Sequence, residues 1–442
     1  ESKPFELMKE GTPWGEKWEY CWFKTAVSLD ESMKGKRIVF AGEPGGESSV
    51  YINGKNVGAF DHFHKHITLT ECAQGNENYE ILMECYAGHG PRVFESIPAH
   101  PGFETVPEPP ENQVTVGRST VGIWHEDIYQ LCLDIRCLYE IRNNMDPTSL
   151  RVVEIDKLLK KFTLTIDLEL SVEQLNQDCK EFRKTVKPLM EAKNGSSAPA
   201  FYSIGNSHID VAWLWTLDET VRKCSRTFGT MLSLMGEYED YKFLQSQPVL
   251  FQMVKDHYPQ LYERMKESIK KGQLIPEGAM YVEPDTNVPW GESLIRQFVH
   301  GKRFYKEEFG IDSKLCWLPD VFGYSGALPQ ILKGCEVEYF STQKIFWAYN
   351  GGMKFPYITF WWEGIDGSKV LSHFHTRYES HANPETVIAR WKDREQEEIE
   401  SRLFAFGYGD GGGGPTRDHL EFIKRQGDLE GSPKCMMRHQ IG

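Results

Sequence analysis

The chain has 442 residues, of which 40% are hydrophobic, as expected for a globular protein of two or three domains. Its 64 acidic and 50 basic residues give a net charge of −14, which disfavours nucleic acid and acidic membranes as partners because both are polyanions. The sequence contains no run of about 20 apolar residues and no targeting segment at its start, so nothing in it indicates a membrane span or secretion.

The first 145 residues are expected to form a β-sandwich domain. Residues up to about 135 are rich in β-branched and aromatic residues, with turn residues between the predicted strands. Asn53-Gly54 predicts a two-residue hairpin, because both residues tolerate positive φ. Strands are predicted at 37–40, 49–52 and 79–86, and a surface loop is predicted at the proline-rich segment 106–110.

Residues 146–198 are predicted to form a mostly helical segment that links two domains. Between residues 149 and 193, apolar residues recur every three or four positions, as they do on one face of a helix. Apolar residues alternate between 164 and 170, a pattern typical of a strand, so both structures stay open there.

Residues 199–442 are predicted to form a catalytic domain that resembles an α/β barrel. Strands alternate with helices, as in a barrel or a doubly wound sheet. Gly272 and Gly310 are expected to end the two long helices. The predicted elements are strands at 201–204, 241–245 and 314–317 and helices at 248–271 and 292–308.

His208 and Asp210 lie just beyond the carboxyl end of the strand predicted at 201–204. The carboxyl ends of parallel strands carry the chemistry in α/β proteins. Residues two apart on an extended backbone point the same way, so this pair can reach one cation at about 2.0–2.2 Å. A buried histidine bonded to an aspartate is the alternative. Trp213 and Trp215 favour a ligand-binding site over this alternative, because flat apolar rings beside polar groups suit the binding of a sugar.

Two further acids lie at positions suited to catalysis. Asp320 follows a predicted strand and Pro319, where a carboxylate can be a metal ligand, a nucleophile or both, or can cap the next helix. Asp410 precedes four consecutive glycines. Such a run is expected where the backbone approaches another group closely or takes unusual dihedral angles. It lacks the Gly-Lys-Ser/Thr ending of a phosphate-binding loop.

Other polar groups have competing interpretations. Residues 277–287 offer acids and an amide to sugar hydroxyls, and a polar surface loop explains them equally well. His373 and His375 alternate at the end of a predicted strand, where structural and active-site roles both stay open. A solvated strand face, with no acid or cysteine to complete a metal site, is expected for another alternating set: His62, His64 and His66.

The ten cysteines are scattered and include no Cys-x-x-Cys pair. They are typical of reduced thiols, and we expect a cytoplasmic protein. The chain starts with Glu1 instead of Met, and its last residues show no periodicity. Both ends are therefore expected to be cut.

The chain resembles the α-mannosidases of glycoside hydrolase family 38, most of all the cytosolic type. The resemblance covers nearly the whole chain and implies a β-domain followed by an irregular α/β barrel, with the C-terminal domains of the family absent. It is carried by Pro13-Trp14-Gly15, Cys21-Trp22-Phe23, His208-Ile209-Asp210 and the segments 280–287, 317–325 and 407–415.

The resemblance also implies an activity and roles for individual residues. The activity is retaining, zinc-dependent hydrolysis of terminal α-D-mannosides of free oligosaccharides or glycoconjugates, with cobalt as an alternative metal. His208, Asp210 and Asp320 match the metal ligands of the family. Asp320 also matches its nucleophile, and Asp410 falls where these enzymes carry the candidate acid/base. Trp213 matches a residue that lies against the bound sugar.

One part of the family pattern is missing. A fourth histidine ligand should follow the glycine-rich loop by several tens of residues, and we do not find it; His439 is too near the end to replace it. A carbohydrate-binding, catalytically incomplete fragment is therefore an alternative function. Another zinc hydrolase, such as a deacetylase, is a third, because His-x-Asp recurs there. An α-mannoside is the expected partner, and a homo-oligomer is compatible with the sequence.

Overall fold

The computed structural model describes residues 4–90, 111–346 and 355–437. The proline-rich segment 106–110 and His439 lie outside these residues. The chain divides into two compact units. The first consists of Glu1–Trp124 and Val211–Ser233, and the second of His125–Asp210 and Leu234–Gly442.

The first unit is built from antiparallel strands. One sheet has the order β2-β7-β4-β5, another the order β6-β3-β9, and a short pair joins β1 to β8. A 3-10 turn lies at Glu31–Met33. The strands are β1 (Pro13–Trp14), β2 (Tyr20–Ser28), β3 (Ile38–Ala41), β4 (Glu47–Ile52), β5 (Lys55–Phe60), β6 (Ile67–Thr70), β7 (Asn78–Tyr86), β8 (Val114–Thr115) and β9 (Thr120–Ile123).

The two larger sheets share one apolar core, as the predicted β-sandwich requires. Val50 of β4 and Met83 of β7 are buried in the same cluster as Phe40 of β3. The ring of Phe40 lies 5.7 Å from that of Phe60, edge to face. The predicted hairpin is also confirmed, since Asn53 and Gly54 both have positive φ between β4 and β5.

Helices α1 (Glu126–Asn144), α2 (Leu150–Thr165) and α3 (Val172–Met190) open the second unit. The side chains of Ser149 and Ser171 accept hydrogen bonds at the starts of α2 and α3. Residues 166–171 contain no strand, so the alternation near residue 168 marks the break between two helices.

The prediction of strands up to about residue 135 is wrong at its end, where α1 begins. Apolar residues at 131, 133, 135 and 137 alternate like a strand. The buried residues Leu131, Leu138 and Ile141 instead follow helical spacing, and packing on that face determines the structure. The predicted domain boundaries at 145 and 198 stay predictions.

The rest of the second unit alternates strands with helices, as predicted. Its elements are β10 (Ala200–Asn206), α4 (Leu217–Glu237, which begins in the first unit), β11 (Phe243–Gln245), α5 (Pro248–His257), α6 (Pro259–Lys270), β12 (Leu274–Pro276), α7 (Gly291–Phe309), β13 (Leu315–Trp317), α8 (Leu328–Gly334), β14 (Tyr339–Thr342), β15 (Thr359–Glu363), β16 (Lys369–Phe374), α9 (Pro384–Lys392), β17 (Ser401–Phe406), α10 (Arg417–Arg425) and β18 (Lys434–Met437).

The parallel strands close into an irregular barrel. One parallel run is β12-β11-β10-β17, and another is β13-β14-β16. A bridge between Gly278 and Cys316 joins the runs on one side. On the other side, Thr376 donates to the carbonyl of Leu403 over 3.2 Å. Strand β18 pairs with β10, and β15 adds an antiparallel edge to β16.

An apolar core occupies the barrel strands. This core contains buried residues from strands of both parallel runs of the barrel, so their packing stabilises the contact between the two runs. Its members are Ile204, Leu244, Ile275, Leu315, Trp317 and Ala405. The fold class predicted from the sequence is therefore confirmed.

The predicted helix at 248–271 is in fact two helices. Helix α5 ends before Tyr258, and α6 starts at Pro259. The proline ring disfavours a helical conformation for the residue before it, which separates the two segments. Gly310 ends α7 with a φ of 72°, as predicted. Within the described residues, no helix combines the length and apolar character needed to cross a membrane.

Candidate metal centre and active site

His208 lies two residues beyond β10, where the glycine-rich loop holds its backbone. Its N–H donates to Gly409 over 2.7 Å, and its carbonyl accepts from Gly411 and Gly412, each over 3.1 Å. On its side chain, Nε2 lies 3.2 Å from Oδ1 of Asp210. The imidazole and this carboxylate therefore face the same point.

Asp320 reaches the same point from the end of β13. Its Oδ2 lies 3.5 Å from Nε2 of His208. The next helix, α8, starts only at Leu328, and its N-cap residue Ala327 makes no side-chain capping bond. The helix-capping alternative for Asp320 is therefore excluded.

The three side chains fit a divalent metal ion. One ligand atom from each of His208, Asp210 and Asp320 lies within 4.8 Å of the other two. Ligands bound tetrahedrally at about 2.0–2.1 Å from zinc are about 3.3 Å from one another. The two distances from Nε2, 3.2 and 3.5 Å, agree with this geometry. Imidazole nitrogen and carboxylate oxygen are also donors that zinc accepts.

The charges around His208 and Asp320 complement each other. Burial lowers the pKa of His208, but the charge of Glu283 and hydrogen bonds with Asp210 and Asp320 outweigh burial and raise it. Burial conversely raises the pKa of Asp320, and His208 and Lys344 outweigh that effect and lower it. Asp320 is therefore held as a carboxylate.

Asp410 is brought beside the three residues of the candidate metal site by the glycine-rich loop. Its backbone forms a parallel bridge with His208. The loop requires glycine because a Cβ on Gly409 would lie 2.8 Å from the carbonyl oxygen of Tyr378. Burial raises the pKa of Asp410, with Asp320 and Asp210 adding to the effect against the opposing charge of His208. The carboxyl thus favours its protonated form more than an ordinary aspartate does.

Lys344 is a residue of this site that the sequence analysis missed. It is buried in a 3-10 turn after β14 and forms an ion pair with Asp320. Its Nζ also lies 5.0 Å from the ring centre of Phe322. Lys344 stands two residues after its strand, as His208 does, and that shared position was the signal that could have identified it.

Glu283 was named in the segment 277–287 but not assigned to the metal centre. Its side chain is only 7% exposed, and its Oε2 lies 3.3 Å from Nδ1 of His208. The interpretation of this residue as part of a polar surface loop is therefore wrong. Tyr378 lies on another side of the imidazole, with ring centres 5.3 Å apart.

Trp213 belongs to the first compact unit. The residue is 53% exposed, and its ring packs edge to face with Trp215 at 5.8 Å. An exposed ring of this kind offers a flat apolar surface. The contact of Trp213 with a sugar stays a prediction.

None of the histidines in the two other alternating sets belongs to the group that could hold a metal. His62, His64 and His66 lie in the connection between β5 and β6, so the prediction that they share a strand face is wrong. His64 is buried there against Asp61, with Nδ1 2.8 Å from Oδ2. These bonds belong to a turn, in which Asp61 also accepts the N–H groups of Phe63 and His64.

His373 and His375 lie on and just after β16 and are not part of the group that could hold a metal. His373 bonds Thr359 through Nδ1 over 2.8 Å and accepts the N–H of Leu403 at Nε2 over 3.1 Å. His375 stacks on Trp317 with ring centres 4.0 Å apart. Both imidazoles therefore serve the packing of the barrel.

Comparison with protein families matches most of the chain. Residues 199–440 match the glycosyl hydrolases family 38 N-terminal domain, and residues 1–101 match the alpha-mannosidase jelly roll domain. The first match covers the whole barrel and the residues of the candidate site, and the second lies on the strand-rich unit.

Curated proteins with similar sequences carry related names. Alpha-mannosidase G of Dictyostelium discoideum is 33% identical over 97% of this chain and 39% of its own length. Alpha-mannosidase 2C1 of Homo sapiens is 31% identical over 98% of this chain and 41% of its own length. An alpha-mannosidase of Saccharomyces cerevisiae is 41% identical over 51% of this chain and 21% of its own length. The chain thus spans about two fifths of the length of the first two relatives.

Proposed function

The chain belongs to glycosyl hydrolase family 38, and from this premise we propose that it is a zinc-dependent retaining α-mannosidase. The proposed substrates are terminal α-D-mannosides of free oligosaccharides or glycoconjugates. The observation that carries the proposal is the convergence of His208, Asp210 and Asp320 at one point. The names of the relatives support mannose as the sugar.

The proposed metal ligands are Nε2 of His208 and one carboxylate oxygen from each of Asp210 and Asp320. A divalent ion bound there, zinc or alternatively cobalt, supplies a Lewis acid for sugar hydroxyls and favours ring distortion. The ammonium group of Lys344 balances part of the negative charge of Asp320. Asp320 thus remains an ionised and oriented carboxylate.

Asp320 is the proposed nucleophile and Asp410 the proposed acid/base. An oxygen of Asp320 bonds to the anomeric carbon while the bond from that carbon to the leaving oxygen breaks, and Asp410 gives its proton to that oxygen. Asp410 then takes a proton from water, whose oxygen bonds to the same carbon as the ester with Asp320 breaks. The two inversions return the original configuration, and the opposed pKa shifts of the two acids suit these roles.

Trp213 is proposed to hold one face of the mannose ring. The hydrophobic face of a sugar packs well on a flat aromatic surface, and about half of the surface of this residue is exposed. A substitution of Trp213 by Ala should therefore raise KM more than it lowers kcat.

A carbohydrate-binding, catalytically incomplete protein is the second candidate function. Among the described residues, the group that could hold a metal has three members, without the fourth ligand that the family resemblance implies. Under this alternative, mannose binds and is not cleaved.

The net charge and the cysteines support a class of ligand and a location for the proposed enzyme. The net charge of −14 supports a neutral saccharide as the ligand, in preference to nucleic acid or an acidic membrane. All ten cysteines fall within the described residues, and each is a free thiol, which supports a cytoplasmic location. Self-association into a homo-oligomer is compatible with this proposal.

One assay separates the two functions. The full chain is incubated with an aryl α-mannoside, with and without a chelator, and the anomer first released is identified by proton NMR. The enzyme proposal predicts α-mannose as the first product and loss of turnover on chelation. Mannose binding without turnover supports the second candidate, and β-mannose as the first product contradicts retention.

A further inference from the structure

The two nitrogen atoms of His208 face different groups. Nε2 faces the carboxylates of Asp210 and Asp320, at 3.2 and 3.5 Å. Nδ1, on the other edge of the ring, lies 3.3 Å from Oε2 of Glu283. The side chain of His208 is 2% exposed and that of Glu283 is 7% exposed, so water has little access to this contact.

A histidine that binds a metal through one nitrogen carries its proton on the other. A carboxylate that accepts this proton fixes the tautomer, orients the ring and makes the metal-binding nitrogen a better donor. Glu283 stands where such an acceptor is needed, because it faces Nδ1 while the other acids face Nε2.

The position of Glu283 is fixed by hydrogen bonds with Ser246 and Gln247. Its Oε1 accepts the hydroxyl of Ser246 over 2.9 Å, and its backbone N–H donates to Oε1 of Gln247 over 3.1 Å. Gln247 in turn donates through Nε2 to the carbonyl of Ile209 over 2.8 Å. A ring of contacts therefore joins Glu283 to the residue that follows His208.

We propose that Glu283 is a positioning residue that holds His208 in the orientation and tautomer in which Nε2 binds the metal. Glu283 acts through His208 and does not contact the metal or the sugar. The inference rests on the proposed function, since it takes His208 as a metal ligand. Loss of such a carboxylate lowers metal affinity by about 10–100-fold in other metal sites.

The test is metal binding by the full chain, stripped with chelator and titrated with Zn²⁺ against a chromophoric competitor. Glu283→Gln keeps the volume and the contact with Ser246 but removes the charge, and Glu283→Ala removes the acceptor altogether. We expect the dissociation constant for Zn²⁺ to rise by about 10–100-fold. The visible bands of the Co²⁺-loaded variants should also shift, because the geometry at Nε2 changes.

Glu277→Gln is the matched control. Glu277 is a similarly buried glutamate, 4% exposed, in the same loop after β12, and it bonds Ser313 and the N–H of Leu315. This variant should unfold more easily while its folded form keeps the wild-type affinity for Zn²⁺ and the wild-type Co²⁺ spectrum. A purely structural role for Glu283 predicts the same result for Glu283→Gln.

The outcomes separate this inference from the proposed function. If the wild-type chain binds Zn²⁺ and Glu283→Gln binds it equally tightly with an unchanged Co²⁺ spectrum, the positioning role is wrong and the metal site stands. Equal weakening by Glu277→Gln and Glu283→Gln also overturns it. If the wild-type chain binds no Zn²⁺, the proposed metal enzyme and the role of Glu283 fail together.

Discussion

The ends of β10 and β16 carry similar sequence patterns and have different chemistry. Each strand leads to a histidine with a second polar residue two positions later, His208-Ile209-Asp210 at one and His373-Phe374-His375 at the other. Acids surround His208 and raise its pKa. Burial, with a smaller contribution from Arg402, lowers the pKa of His373 to about 3.

The comparison shows that neighbours from other loops determine the role of a histidine at a strand end. Asp320 comes from the loop after β13, and the backbone of His208 is held by the loop after β17. At the other strand, Trp317 covers the ring of His375, and Ser341 bonds its Nδ1 over 2.9 Å. At the end of β10, carboxylates surround a point that suits a cation. At the end of β16, other side chains pack against the imidazole.

The largest expected effect is that of Asp320→Asn. Loss of the nucleophile should lower kcat on an aryl α-mannoside by at least about 10⁴-fold. Because Asp320 is also a proposed metal ligand, metal content must be measured in the same sample. Turnover near the wild-type rate by metal-loaded Asp320→Asn would exclude the nucleophile assignment.

Asp410→Asn should have the next largest effect. Removal of the acid/base should lower kcat by about 10²–10⁴-fold. The loss should be greater for an alkyl mannoside than for a dinitrophenyl mannoside, because a good leaving group needs no proton. Equal losses on both substrates would contradict the assignment of Asp410 as the acid.

His208→Gln and His375→Gln test the comparison directly. The first should weaken Zn²⁺ binding by more than about 100-fold, since removing a ligand does more than removing its orienting partner. The second should lower thermal stability because it replaces a buried stacked ring, while the folded protein keeps its affinity for Zn²⁺. The reverse pattern would mean that the two strand ends have been assigned the wrong way round.

The smallest effect concerns the pH dependence of stability. An unfolded histidine binds a proton near pH 6.5, while folded His373 does so only near pH 3. Between these values the unfolded state binds more protons, so stability falls as the pH falls from about 6.5 towards 3.

Below pH 6, His373→Gln should reduce the slope of the unfolding free energy against pH by about 1.4 kcal/mol per pH unit. The measurement is the free energy of urea unfolding at pH 7, 6 and 5. The slopes of the wild type and the variant are compared, and not their stabilities at one pH, because the substitution also alters hydrogen bonds at every pH. An unchanged slope would mean that His373 is not buried as a neutral imidazole.

Local patterns in the sequence were enough to predict much of the fold. Strand β10 and the Asn53-Gly54 hairpin depend on neighbouring residues and turn chemistry, and both are present. The start of α1 was missed because a segment with alternating apolar residues can also bury a helical face, and tertiary packing decides between them. His208, Asp210 and Asp320 could be proposed together as metal ligands because each follows a predicted strand, and their side chains do converge.

The contacts of Lys344 and Glu283 with the candidate metal ligands could not be predicted from the sequence. Lys344 and Glu283 lie close to the candidate metal ligands only because the barrel brings separate strand ends together. No local signal separates Glu283 from the other acids of its loop. A charged residue that contacts a candidate metal ligand from a separate loop can therefore be assigned to the site only when the fold is known.

The central claim is that His208, Asp210 and Asp320 hold one divalent ion. Anomalous diffraction at the zinc absorption edge, from crystals of the full chain grown with Zn²⁺, tests it most directly. We predict a single strong peak about 2.0–2.2 Å from Nε2 of His208 and from an oxygen of each aspartate. The absence of a peak between the three side chains, in crystals that hold zinc elsewhere, would contradict the account.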